Sequence, residues 1–225
     1  MLNIKSFLLL LGISIVFSGC VNKTITPLTP KSSKNLSGKT FTIIKRDLPT
    51  LPQIITPTAA LSASMLGGLT GALVNFTDDS KTTVDKAFSN TPSSYIYTNI
   101  AMTLEEKYKM KFVNIEKITN EFDINNLPKE YENIDYIIDH KDIGWLVNYY
   151  PMHWFSYGIY YSGKLKIYDV SSKKVVAEGY CHYSPTYDTN SPSYDELFEN
   201  NNQKLMEITK VALDQCIKTH LEKVY

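Results

Sequence analysis

Between Ile143 and Tyr183 the chain repeatedly alternates apolar and polar side chains, and that period of two restricts what it can fold into. Ile143, Trp145, Val147 and Tyr149 alternate with Gly144, Leu146 and Asn148. After Gly158, Ile159, Tyr161, Leu165 and Ile167 occupy one face, with Tyr160, Ser162, Lys164 and Lys166 on the other. From Lys174 to Tyr183 the alternation resumes, with Val175, Ala177, Gly179 and Cys181 expected inward. Val170-Ser171-Ser172-Lys173-Lys174 reads as a hairpin connection. Half-buried antiparallel strands have this composition, because one face meets a core and the other meets water.

Such a sheet needs a cover, and the flanking sequence supplies helices. Thr91-Pro92 predicts a helix start, with Thr91 as N-cap and Pro92 at the first helical position. Ile96, Ile100, Leu104 and Tyr108 then form an apolar stripe, and Glu105 and Lys109 are placed as an exposed i,i+4 pair. Ser193-x-x-Glu196 has the spacing of a capping box and opens a last helix, whose Leu197, Leu205, Ile208, Ala212 and Cys216 share a face. A first strand is predicted over Thr40–Ile44 and another over Lys111–Ile118, while residues 119–133 read as loop. The fold class is therefore α+β: an antiparallel β-sheet packed by two or three helices in a single domain over residues 39–225.

The first twenty residues belong to a different category. Lys5 precedes an uncharged run from Phe7 to Phe17, and small residues Ser18 and Gly19 stand before Cys20. That is the layout of a secretory signal peptide over residues 1–19, too short to span a bilayer comfortably. Phe17-Ser18-Gly19-Cys20 resembles the lipobox of bacterial lipoproteins, which implies cleavage before Cys20 and lipidation of that cysteine. Residues 20–38 are rich in Thr, Ser, Pro, Lys and Asn and read as a flexible tether. Val21 stands where that sorting pattern places an aspartate for inner-membrane retention, so the outer membrane facing the periplasm is favoured over the inner one. With Cys20 acylated, Cys181 and Cys216 remain, and in an exported domain they are expected to form a disulfide; the alternative is two buried free thiols.

From Asp135 to Cys216 the chain resembles a group of uncharacterised bacterial lipoproteins. The resemblance rests on Trp145, Tyr149-Tyr150-Pro151, Trp154, Tyr157, Tyr161-Ser162 and Leu165. It continues through Val176-Ala177-Glu178-Gly179-x-Cys181, Pro192-Ser193-Tyr194-Asp195-Glu196-Leu197 and Cys216. It implies relatives without implying a reaction. More loosely, the order of elements is similar to small periplasmic α+β domains of envelope-assembly and transport-accessory lipoproteins.

The chemistry-bearing residues give few catalytic patterns. The 23 basic side chains balance the 23 acidic ones, so no nucleic acid partner is expected. Arg46 is the only arginine, which leaves little for bidentate clamping of phosphates or carboxylates. His140, His153, His182 and His220 lack the spacing of a metal site, and neither a metal nor a cofactor is expected. Asp139-His140-Lys141-Asp142 reads as a solvated hairpin or strand end, with a cation-holding loop as the alternative. Cys181 and His182 are strand neighbours and point to opposite faces, which argues against a thiol nucleophile.

Two segments are candidates for contact. Tyr149 to Tyr161, YYPMHWFSYGIYY, carries seven aromatic residues in thirteen, and a loop between Pro151 and Gly158 presenting Trp154, Phe155 and Tyr157 would suit sugar rings, a lipid interface or a protein partner. The other reading is that these rings close the end of a core. Thr58 to Phe76 is uncharged and repeats small residues at Ala59, Ala63, Gly67 and Gly71; it reads first as a short core helix or a Gly-rich loop packed on a sheet, and alternatively as a close-approach stripe that oligomerises or dips into the membrane, with Gly67 and Gly71 as oligomerisation candidates. The functional expectation is a membrane-anchored cell-envelope lipoprotein, a non-enzymatic accessory or structural component of an envelope assembly with an envelope protein as partner. The alternatives are a periplasmic cell-wall hydrolase and an oligomeric or channel component built on the Gly-rich segment.

Overall fold

The computed structural model describes residues 25–29, 36–46, 52–57 and 92–224. The signal peptide, Cys20, the Gly-rich stretch with Gly67 and Gly71, and the N-cap Thr91 lie outside the described residues.

The alternating segments form the three longest strands. We number the elements β1 (Thr40–Ile43), β2 (Gln53–Ile55), α1 (Pro92–Tyr108), β3 (Lys111–Phe112), β4 (Tyr136–Tyr150), β5 (His153–Asp169), β6 (Lys174–Tyr183) and α2 (Tyr194–Val224). β4, β5 and β6 make an antiparallel meander. The other side of β4 carries two short parallel strands end to end: β1 against Tyr136–Ile138 and β2 against Leu146–Asn148. β3 extends the sheet beyond β1, also in parallel. The architecture is α+β in one domain, and its sheet is mixed rather than wholly antiparallel.

Both helices lie on one face. Ile96, Ile100 and Leu104 of α1 and Leu205, Ala212, Leu213 and Cys216 of α2 are buried in one core with Ile138, Val147, Ile159, Tyr161, Leu165, Ile167 and Ala177 of the sheet. Cys181 and Cys216 form the disulfide that fastens α2 to β6, with Cα atoms 5.2 Å apart. On the opposite face, Phe122, Ile124, Tyr131 and Ile134 cover Ile137 and Tyr168 in a smaller cluster. The segment 119–133, expected to be plain loop, contains two 3-10 turns that set Ile124 and Tyr131 into that cluster.

Several local expectations are corrected by irregularities that preserve burial. In β4 an extra residue lies between the pairs Asp142–Gly163 and Gly144–Ser162, so Ile143 bulges out and is exposed. The bulge changes the strand's parity: His140 and Trp145 both face the core, although an unbroken strand would send them to opposite sides. A second shift between Ile167 and Tyr168 leaves Val176 unpaired and Val175 exposed instead of inward. The predicted strand 111–118 is regular only over Lys111–Phe112, and bridges Lys45 again at Ile118. The expected Glu105–Lys109 helix pair does not form, because α1 ends at Tyr108 and Lys109 has φ 55; Glu105 instead accepts from the Phe112 amide at 3.4 Å.

The capping box at α2 is present. The Ser193 amide donates to Glu196 Oε2 at 2.7 Å and the Glu196 amide to Ser193 Oγ at 3.3 Å. The helix is then broken at Glu199–Asn202, where Asn200, Asn201 and Asn202 have φ of 49, 58 and 61. Asparagine is among the few residues that enter this region at modest cost. The break still leaves Leu197 and Leu205 buried on the same core.

Residues 25–29, expected within the flexible tether, dock on the outer edge of β6. The Thr26 amide donates to the Glu178 carbonyl and the Glu178 amide to the Thr26 carbonyl, both at 2.8 Å, and Leu28 enters the core.

Candidate functional site

The patch Asp139-His140-Lys141-Asp142, expected to be solvated, lies inside β4, and its charged groups alternate between the two faces. Asp139 is buried on the outer face by Arg46, whose Nη2 donates to Oδ1 and Oδ2 at 2.7 Å each and whose Nε donates to Oδ1 at 3.0 Å. The chain's single arginine is thus committed to a structural clamp. The open hollow above it, about 290 Å³, is lined by Lys141, Lys164, Lys166 and Tyr168 among others. Glu178 neutralises Lys164 there at 2.6 Å.

On the core face, His140 is buried beside Asp142 of its own strand and beside groups brought in by α1, β5 and α2. Ser93 Oγ of α1 lies 3.1 Å from His140 Nδ1, Asp142 Oδ1 lies 3.7 Å from the same nitrogen, and Tyr161 donates its hydroxyl to Asp142. The His220 ring of α2 packs edge-on, with centroids 5.5 Å apart. Burial pushes the His140 imidazole down to about 3, with Arg46 adding to the effect, so the ring is neutral at physiological pH. Burial also raises the Asp142 carboxyl, against hydrogen bonds from Tyr161 and Ser93. Burial, followed by the Asp142 charge, holds the Tyr161 hydroxyl well above its ordinary range.

Serine, histidine and aspartate in contact suggest nucleophilic catalysis, and the geometry answers that suggestion. In a working triad the serine and the carboxylate address different ring nitrogens. Here both stand at Nδ1, while Nε2 has no hydrogen-bond partner among the described residues. Gly163 backs directly on that nitrogen: a Cβ there would lie 2.6 Å from Nε2. Ser93 is fully buried, so a substrate has no approach to it. The group is a buried polar network. Among the described residues no cluster of His, Cys, Asp and Glu is suited to hold a metal ion.

The hairpin joining β4 and β5 presents the opposite picture. Tyr150 pairs with His153 across the two-residue turn Pro151-Met152, and Met152 takes φ 71. The next pair is Tyr149 with Tyr157, so Trp154, Phe155 and Ser156 form an unpaired excursion on β5. That excursion turns side chains outward: Met152 is 89% exposed, Phe155 87% and Trp154 55%. They border an open hollow of about 470 Å³ with His153 and Ser156.

Tyr157, expected beside Trp154 and Phe155 on a contact surface, is 5% exposed and packs on Tyr194. It supports the tip instead of belonging to its surface. The expected loop is a two-residue turn followed by a bulge. Met152 completes the exposed group as the second residue of the turn, and Pro151 immediately before it was the sequence signal for that position.

The tip is braced from below. Residues 184–193 fold back so that the Tyr157 amide donates to the Pro192 carbonyl at 2.8 Å and Tyr187 stacks on His153 at 3.6 Å. A Cβ on Gly158 would lie 2.5 Å from both Pro185 Cγ and the Tyr150 hydroxyl, so close packing reserves this position for glycine.

The chain matches no family model and no curated protein. It is similar to solved structures at low scores. Protein XCC0632 from Xanthomonas campestris has TM-score 0.38 and 13% identity, over 88% of this chain and 89% of that one. The PelC dodecamer from Paraburkholderia phytofirmans has TM-score 0.35 and 11% identity, over 90% and 96%. Lipoprotein GNA1162 from Neisseria meningitidis has TM-score 0.29 and 14% identity, over 80% and 98%.

Proposed function

We propose that this chain is a lipid-anchored cell-envelope protein with a non-enzymatic accessory or structural role, exerted through the β4–β5 hairpin tip. The observation that carries this reading is the contrast between the two sites. The Ser93–His140–Asp142 group is sealed in the core, whereas Met152, Trp154 and Phe155 stand in solvent on a braced hairpin. Large exposed apolar side chains gathered at one point mark contact surfaces.

The anchor is Cys20, on the strength of the lipobox-like tetrad, and Val21 favours the outer membrane facing the periplasm. The oxidised Cys181–Cys216 pair suits an exported domain. Labelling cells with an alkyne analogue of palmitate tests the anchor. Label should enter the wild-type protein, leave with detergent extraction of membranes, and vanish in Cys20→Ala. Label retained by Cys20→Ala, or an intact mass without acyl chains, overturns it.

A further inference from the structure

We infer that the hollow on the outer face of the sheet is a binding site for a phosphate group, held by Lys141, Lys164, Lys166 and the Tyr168 hydroxyl. The site is independent of the hairpin tip and of the lipid anchor.

Strand register sets the cations. Lys141 of β4 stands directly opposite Lys164 of β5, and Lys166 lies two residues further along the same face. Like charges placed opposite one another weaken a sheet unless an anion offsets them. The carboxylates nearby do not match the cations. Asp139 is taken up by Arg46, which also donates to the Asn120 carbonyl. Glu178 of β6 serves two ammonium groups, Lys164 at 2.6 Å and Lys166 at 4.0 Å. Glu121 lines the hollow but is exposed and makes no ion pair among the described residues. Lys141 likewise has no ion-pair partner among the described residues. The hollow therefore carries an excess of positive charge, in a chain whose acidic and basic side chains balance.

Solvated lysines alone would leave the hollow unspecific, and its floor adds a directed donor. Tyr168 is 6% exposed and lines the hollow. Its ring is held against Phe122, with centroids 5.3 Å apart. Its hydroxyl has no hydrogen-bond partner among the described residues. Burial, then the Asp139 charge, pushes that hydroxyl up to about 12, so it keeps its proton and remains a donor. A buried donor without an acceptor opposes folding. An anion seated between Tyr168 and the lysines supplies that acceptor.

The donor set selects the kind of anion. A planar carboxylate is best matched by a guanidinium fork, and the single arginine is already engaged by Asp139. What remains is three compact ammonium groups and one hydroxyl around an open hollow of about 290 Å³. Point charges converging from several positions suit a tetrahedral phosphate ester, which offers three acceptor oxygens and carries roughly −1.5 to −2 at neutral pH. The open side leaves space for whatever bears the phosphate, a lipid headgroup or a soluble ester.

Calorimetric titration of the full chain in nonionic detergent, at neutral pH and low salt, tests the site. The probes are inorganic phosphate, glycerol 3-phosphate and dihexanoyl phosphatidic acid. Saturable binding is expected, and it should weaken as salt is raised. Tyr168→Phe keeps the ring, removes only the donor, and should weaken binding about tenfold. Lys141→Gln removes an unpaired charge and should weaken binding about two- to fivefold. Lys218→Gln, on the exposed side of α2, should leave it unchanged. Lys141 is exposed, so its exchange keeps the fold and the test stands even where Tyr168→Phe loosens the Phe122 contact. Tighter binding of dihexanoyl phosphatidic acid than of glycerol 3-phosphate identifies a lipid headgroup as the source, and equal binding identifies a soluble phosphate. No saturable binding of any probe, or wild-type affinity in both Tyr168→Phe and Lys141→Gln, overturns the inference.

Discussion

Acid should weaken this fold through one buried ring. His140 is neutral in the folded state, with burial holding it down to about 3 against an ordinary 6.5. The unfolded chain binds this proton below pH 6.5 and the folded chain only near pH 3, so stability is full above 6.5 and falls as pH drops through that window. Each pH unit is worth about 1.4 kcal/mol, which puts the ceiling near 5 kcal/mol and the loss between pH 7 and pH 4.5 at about 2.5 kcal/mol. Asp142 acts with the opposite sign. Its raised carboxyl contributes most at low pH, and that contribution is lost as pH rises through its folded value, so it offsets part of the His140 loss near pH 4. The groups against the ring are Ser93, Asp142, Gly163 and His220; Asp142 alone carries a carboxyl, and its burial favours the uncharged acid, which cannot hold an imidazolium. Urea unfolding from pH 7 to pH 4.5 would give the slope, and His140→Gln should flatten it. The His140 Cε1–Hε1 resonance should stay at its neutral position down to pH 4.5. A midpoint near 6.5, or an unchanged slope in His140→Gln, refutes the reasoning.

Other perturbations have magnitudes set by the same contacts. Replacing Cys181 and Cys216 by serine removes a link across 35 residues and should lower unfolding free energy by about 3–4 kcal/mol in the chain-entropy account; equal denaturant midpoints with and without reductant contradict it. Gly163→Ala drives a methyl within 2.6 Å of His140 Nε2 and should cost about 1–3 kcal/mol, read from the urea midpoint; a neutral effect would mean the ring is free to move. Arg46→Met strands the buried Asp139 and should cost about 3–5 kcal/mol, while Arg46→Met with Asp139→Leu should recover much of it; additive losses from the two changes refute the clamp. A fluorophosphonate probe should leave Ser93 unlabelled in the native protein, and peptide mass mapping of a Ser93 adduct would reopen the hydrolase reading.

What the sequence made legible was local. Alternation from Ile159 to Ile167 gave β5 its faces, Ser193 and Glu196 gave α2 its start, and two cysteines left over in a chain with a signal-like start pointed to the disulfide. The remainder depends on distant partners or on single inserted residues. Ile143 shares parity with Trp145 in sequence, and only the bulge reveals that it faces out. Asp139 and His140 read as solvated because their partners are remote: Arg46 lies 93 residues upstream and Ser93 lies 47. Parallel pairing of β1 and β2 on one edge of β4 leaves no local period to read. Aromatic density singled out the β4–β5 hairpin, while the three-residue excursion decided that Trp154 and Phe155 face solvent and Tyr157 does not. The docking of Thr26 on Glu178 was hidden in a segment whose composition reads as tether.

The central claim is that this protein works by contact through its hairpin tip. The most direct test places a photoreactive phenylalanine analogue at position 155 in intact cells, with position 211 as control, since Val211 is also exposed but lies on α2. The account predicts an adduct from position 155 and none from position 211. No adduct from either position, or equal yields from both, would contradict it.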